Sequence, residues 1–226
     1  MRSKNRNIFV AFVAVFALGA VGVSSAAAAL PEFVPGAGES LPATYQSQSM
    51  TGLEEVRLQT AQLGTEVSCH SDQIKGEITG AKTASVSDKL QECSRPGIGA
   101  CETTGAGPGK VTITGTAALA YVKKSTKQVA LVLPIAETTI YCEEEPIRVK
   151  GSIILPITTI NTKTTSLEMK IHEASAGKQE FTKYENEKNE LLTAVLKTNP
   201  PTWWEAGLEV KPTVLLTTSK SITVSA

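Results

Sequence analysis

One stretch sets a nucleophile, a base and an acid side by side: Cys69-His70-Ser71-Asp72. Thiol attack assisted by an imidazole needs the two groups within hydrogen-bond reach. The apolar spacing of Val67 and Cys69 reads as a strand, and neighbouring strand residues point to opposite faces. Cys69 and His70 therefore face apart, and His70 and Asp72 are expected to face solvent. The chain holds two histidines and two aspartates in all. His172 follows Glu168 and Lys170 on a polar strand face and reads as plain surface. Glu143-Glu144-Glu145 carries charge enough for a cation, yet calcium sites draw on spaced acids and carbonyls; a solvated turn fits better. Glutamates are plentiful enough to furnish a pair for glycoside cleavage, but that chemistry depends on separation in space, and spacing marks out no pair. Gly105-Ala106-Gly107-Pro108-Gly109 lacks the Lys-Ser/Thr ending and helix start of a phosphate-binding loop. No catalytic residue, metal or cofactor is assigned.

The four cysteines, Cys69, Cys93, Cys101 and Cys142, have a second chemistry open to them. Zinc sites favour close pairs such as C-x-x-C, and this spacing is missing, so two disulfides in an oxidising compartment are expected. Three connectivities are possible. The loop Ser94–Ala100, rich in glycine and proline, can bend back on itself and favours Cys93–Cys101, which leaves Cys69–Cys142. Pro200-Pro201-Thr202-Trp203-Trp204 holds both tryptophans. Trp203 and Trp204 could anchor a sugar or a partner protein, or they could cap one end of the fold, which is the preferred reading.

These residues must be positioned by strands. From Val111 the odd positions Val111, Ile113, Gly115, Ala117, Leu119 and Tyr121 alternate with Thr112, Thr114 and Thr116, the period of a half-buried strand. Val129, Leu131, Leu133 and Ile135 follow after a Lys-rich turn, then Ile140 and Cys142. Beyond Glu143–Pro146 come Ile147, Val149, Gly151, Ile153, Leu155 and Ile157, and beyond Asn161–Lys163 come Leu167, Met169 and Ile171. Short polar loops between about five such runs require antiparallel neighbours. Leu53–Leu63 also fits a helical face, but its bounding turn residues favour a strand. Lys183–Glu190 reads as a charged loop before Leu191–Leu196. The C-terminus alternates through Leu208, Val210, Val214, Leu216, Ile222 and Val224, with Pro212 hinting at an edge or bulge. Ile74-Lys75-Gly76-Glu77-Ile78 after Cys69 echoes Val149-Lys150-Gly151-Ser152-Ile153 after Cys142. Glycines marking a bulge or a close backbone approach explain the echo better than a duplicated unit.

At the N-terminus a basic Met1–Asn7 precedes the apolar Ile8–Val23 and the small residues Ser24–Ala29. This is the layout of a secretory signal peptide cut near Ala28 or Ala29, and the apolar run falls short of the ~20 residues of a spanning helix. Residues 30–44, with Pro31, Pro35, Gly36, Gly38 and Pro42, read as an extended linker. The chain has 22 basic and 22 acidic residues over 226 positions. Without Arg2, Lys4 and Arg6 the balance is 19 against 22, a net −3 that offers nucleic acid or anionic membrane no electrostatic footprint.

The cysteines, together with Ile74–Gly80, Ala118–Val122, Val149–Ile154 and Gly177-Lys178-Gln179-Glu180, resemble a family of uncharacterised secreted actinobacterial proteins. The likeness covers most of the mature chain and implies export and a disulfide-bearing β fold, with no active-site residue to carry over. Trp203-Trp204 is not part of the pattern. The expected architecture is a signal peptide (1–29), a linker (30–44) and one all-β domain (45–226), an antiparallel β-sandwich or partly closed β-barrel. The expected role is non-catalytic: binding or structure at the cell exterior, with an unidentified extracellular ligand or cell-envelope component as partner. The alternatives are a carrier of a small apolar ligand in a barrel cavity and a secreted hydrolase of polysaccharides or esters.

Overall fold

The computed structural model describes residues 31–47, 55–60, 62, 66–143, 145–175, 177–185, 188–189, 191–196, 201–211 and 213–226. The proposed signal peptide (1–29) and Pro212 lie outside them. The fold is all-β, as the alternation predicts. Its first strands are β1 (Glu32–Pro35), β2 (Ala43–Ser47), β3 (Glu55–Thr60), β4 (Glu66–Cys69), β5 (Ile74–Gly80), β6 (Thr83–Gln91), β7 (Ser94–Arg95) and β8 (Gly99–Thr103). The central group is β9 (Lys110–Lys123), β10 (Gln128–Cys142), β11 (Glu145–Ile157) and β12 (Thr164–Met169). Four short strands follow, β13 (Glu173–Ser175), β14 (Lys178–Gln179), β15 (Lys183–Tyr184) and β16 (Lys188–Asn189). The chain ends with β17 (Thr193–Leu196), β18 (Trp204–Lys211) and β19 (Val214–Ser225). Within Leu53–Leu63, Glu55–Thr60 is a strand, as expected; residues 53, 54, 61 and 63 lie outside the described residues.

The central meander forms as read, β9 to β12 in antiparallel succession. The runs around Val129–Ile135 and Ile140–Cys142 are one strand rather than two, interrupted by a bulge between Ile135 and Thr138. The alternation translates into burial: Val111, Ala117, Leu119, Val129, Leu131, Leu133, Ile147, Ile153, Leu155, Ile157, Leu167, Met169 and Ile171 all lie in the core.

The pairings close on themselves twice. One ring runs β19-β12-β11-β10-β9-β6-β5-β2 and back to β19. The other runs β11-β17-β18-β3-β4-β7-β8-β10, closing through the β10–β11 ladder that both rings share. Closure removes the exposed edges on which β-proteins otherwise aggregate.

Two expectations are corrected. The segment read as a linker contributes two strands: β1 pairs with β19, and β2 joins β5 to β19. Phe33 is the reason. It is 2% exposed, and one buried aromatic holds down a stretch whose Pro and Gly content otherwise signals an extended spacer. The cysteines pair Cys69–Cys93 and Cys101–Cys142, not Cys93–Cys101 and Cys69–Cys142. Ser94–Ala100 does bend back, as the β7–β8 hairpin, and brings Cys93 opposite Cys101. That pair, however, shares a backbone hydrogen bond, Cys101 N–H to Cys93 O at 2.8 Å. Side chains stand farther apart at hydrogen-bonded positions than at the alternate ones. The bonds therefore form to the outer neighbours, Cys101 to Cys142 directly across β8–β10 and Cys93 to Cys69 across β4–β7. Four cysteines thus lie in a row over adjacent strands, all buried.

The two echoing glycines do mark close approaches. A Cβ on Gly76 would overlap the Tyr45 ring and the Ser85 carbonyl, and one on Gly151 (φ +109°) would overlap the Leu191 carbonyl. Lys183–Glu190 carries the small β15–β16 hairpin.

Candidate functional site

The residues that could have formed a nucleophilic centre are dispersed. Cys69 is oxidised and buried in its bridge to Cys93. His70 is exposed, as expected, with its backbone N–H bonded to Gln91 O. Asp72 is not solvent-facing: it is 6% exposed. Asp72 falls on the same inward face as Ile74 at the entry to β5, whereas His70 lies just past the end of β4 at Cys69, before that alternation begins, and is turned out. His172 is exposed on the surface. Glu145 pairs with Arg95, and Glu143, at φ +51°, packs its side chain against Gly99. Among the described residues, no three His, Cys, Asp or Glu side chains converge to hold a metal.

Trp203 and Trp204 are half-buried. The Lys150 ammonium sits 3.9 Å from the Trp203 ring centroid and the Arg148 guanidinium 5.4 Å from it. Both cations project from one face of β11, two residues apart, and cation–π attraction holds them there. Arg148 also bonds Glu137 at 3.0 Å, in the bulge of β10. The pair therefore packs onto the outside of the β10–β11 ladder, with Trp204 starting β18 opposite Ala194.

The interior holds what the sequence does not announce. A chamber of about 250 Å³ lies where the two rings meet. Val56, Leu58, Val67, Leu90, Val111, Ile140, Val149, Ile153, Leu192 and Leu208 give it apolar walls, with the Cys69–Cys93 bridge at its side. Thr103, Thr112, Thr114 and Thr138 supply hydroxyls, and no ionisable side chain is among the described residues that line it. The Thr103 hydroxyl already accepts from Thr112 N–H at 2.9 Å. Such a chamber can hold an apolar molecule by contact and shape.

Deeper in the first ring is a second space of about 30 Å³, room for about one water. Tyr45, Asp72 and Asp88 reach it from among core aliphatics. β5 and β6 pair Ile74 with Asp88, and Gln73 and Lys89 exchange both backbone hydrogen bonds. Asp72 and Asp88 are thus diagonal neighbours on the inward face, a relation that allows side-chain interaction. Tyr45 donates its hydroxyl to Ser85 O at 2.7 Å across Gly76. Burial pushes its phenol well above the usual range, and the negative charge of Asp88 pushes the same way.

No family model, curated protein or solved structure matches this chain. Sequence reasoning allows for a cavity but does not locate one, because the residues that line it carry the same apolar pattern as those that fill a core.

Proposed function

We propose that this chain is an extracytoplasmic, non-catalytic binding protein that holds a small apolar molecule in the chamber between its two rings. The observation that carries this reading is a void of about 250 Å³ walled by buried aliphatic side chains. An interior closes such space by collapse unless the surrounding ladder keeps it open. Two closed rings sharing one ladder do that. An engineered apolar cavity of about 150 Å³ takes up benzene, which scales to roughly ten non-hydrogen atoms here. The secretory layout of residues 1–29 and the two buried disulfides support a location outside the cytoplasm. Membership in the secreted actinobacterial family that the cysteine and glycine pattern resembles belongs to the same proposal.

Naphthalene, a ten-carbon apolar probe, tests the reading. Titrated into methyl-labelled protein, it is expected to shift the resonances of Ile113, Ile140, Ile153 and Leu192 saturably and to leave those of Val224 and Ile222 unchanged. Spectra that respond neither to naphthalene nor to pressurised xenon would mean the chamber takes no ligand, and the proposal would fall.

A further inference from the structure

Given that the chamber binds a ligand, a reading on which this inference rests, the geometry points to a lateral portal: we infer that the ligand enters through the wall between β9 and β10. Every described residue lining the chamber is buried except six. Three are consecutive on β9, Thr112, Ile113 and Thr114, and three lie on β10, Ile135, Ala136 and Thr138. Thr114 and Ala136 are exposed and the other four half-buried. Residues that touch both chamber and solvent define a mouth, and these face each other across a single seam.

The ladder explains why the seam is open. β9 and β10 pair from Lys123–Gln128 to Ala118–Val132 and then part. β10 continues into Pro134, which has no N–H to offer a neighbour, and then into the bulge between Ile135 and Thr138. Beyond the bulge its partner is β8, starting at Ile140–Thr103. Meanwhile β9 stays paired to β6 down to Lys110. Between these two ladders, among the described residues, β9 and β10 do not pair over Thr112–Thr114 and Ile135–Thr138.

A second break in the wall shows what sealing looks like. β11 pairs with β17 over Ile147–Lys150 and meets β12 only at Ile157, so its outer edge between them lacks a strand. There the Gln179 side chain, buried, accepts from Ile154 N–H at 3.1 Å and donates to Ser152 O at 3.0 Å. One amide takes the place of a strand and closes the gap. At the β9–β10 seam the described residues supply a smaller plug at one end, the Thr103 hydroxyl of β8 accepting from Thr112 N–H at 2.9 Å, and Ile113 and Thr114 lie beyond it. Arg148, bonded to Glu137 and stacked near Trp203, instead ties the bulge outward.

The test adds bulk at the lip and reads rates. Ala136→Trp and Thr114→Trp alter exposed positions, one on each side of the mouth; Lys170→Trp, exposed and remote from the chamber, is the control. Naphthalene exchange is measured by magnetisation transfer between free and bound methyl signals. Either lip variant is expected to slow exchange at least tenfold with Kd within about twofold of the unmodified protein, and the control to leave both unchanged. Slowing by one lip variant alone supports the portal. Unaltered exchange in both, with binding intact, would overturn the portal and leave the chamber reading standing. No naphthalene binding by the unmodified protein would overturn both.

Discussion

The β10–β11 hairpin passes through two interiors that are held together differently. Over Val129–Ile135 and Gly151–Ile157 it belongs to the first ring, where Leu131, Leu133, Leu155 and Met169 leave a residual space of about 30 Å³. Over Thr138–Cys142 and Glu145–Val149 it borders the chamber of about 250 Å³, and there it carries Cys142. Both disulfides lie on the hollow side. Missing dispersion contacts weaken a core, and a cross-link that restricts the unfolded chain offsets the loss without filling the space. Closing loops of 24 and 41 residues is worth roughly 3–4 kcal/mol each in the chain-entropy model. A fold that must stay hollow gains from stability that does not come from packing.

Removing a staple should have the largest effect. Replacing Cys101 and Cys142 together by alanine should cost roughly 2–5 kcal/mol in chemical denaturation. In hydrogen exchange, β3, β4 and β8 should lose protection well before β5, β6 and β9. Uniform loss of protection across both rings would show that the halves are one cooperative unit and that the two interiors differ in geometry alone.

A volume swap sharpens the same contrast. Val224, fully buried in the first ring, and Val149, on the chamber wall, are both valines on β-strands. Val224→Phe should cost about 1–3 kcal/mol through overpacking. Val149→Phe can lean into empty space and should cost clearly less, while weakening naphthalene binding. Equal destabilisation by the two changes, read from denaturation midpoints, would argue that the chamber wall is as unyielding as the packed core.

Strands and their buried faces were legible on the packed side and the hollow side alike. Alternation along Val111–Tyr121, Ile147–Ile157 and Leu167–Ile171 states both the strands and their buried face, because one residue's side follows from its neighbour's. Ring closure was not legible, since it depends on β2 meeting β19 across 169 positions, Ser47 to Leu216 at the nearest, with no local mark. The disulfides show the boundary between the two kinds of information. Local sequence brings Cys93 beside Cys101 correctly, but which neighbour each thiol faces depends on hydrogen-bond phase in the ladder. The chamber is the same kind of problem. Val56, Val111 and Leu208 look like core residues because they are apolar and inward-facing, and only their distances from one another make them a wall. Asp72 belongs here too: its charge argued for solvent, whereas its parity with Ile74 argued for the interior, and parity prevailed.

Asp72 and Asp88 also give the packed half a weakness that the hollow half lacks, and Tyr45 makes it measurable. Its phenol is held neutral by burial and by the charge of Asp88, so its folded pKa stands above the 10.0 of an exposed tyrosine. Below pH 10 both states keep the proton. Above it the unfolded chain releases a proton that the folded chain retains, so the unfolded state binds fewer and stability falls as pH rises. Tyr45→Phe removes the hydroxyl and its bond to Ser85 O, which should cost about 1 kcal/mol at neutral pH. The same change removes one titrating group from the alkaline decline. The stability curves of the two proteins should therefore converge as pH rises beyond 10, the variant starting lower and falling more slowly. Parallel curves would mean that Tyr45 ionises as freely in the folded protein as outside it, and that the acidic corner of the first ring is wetter than its walls imply.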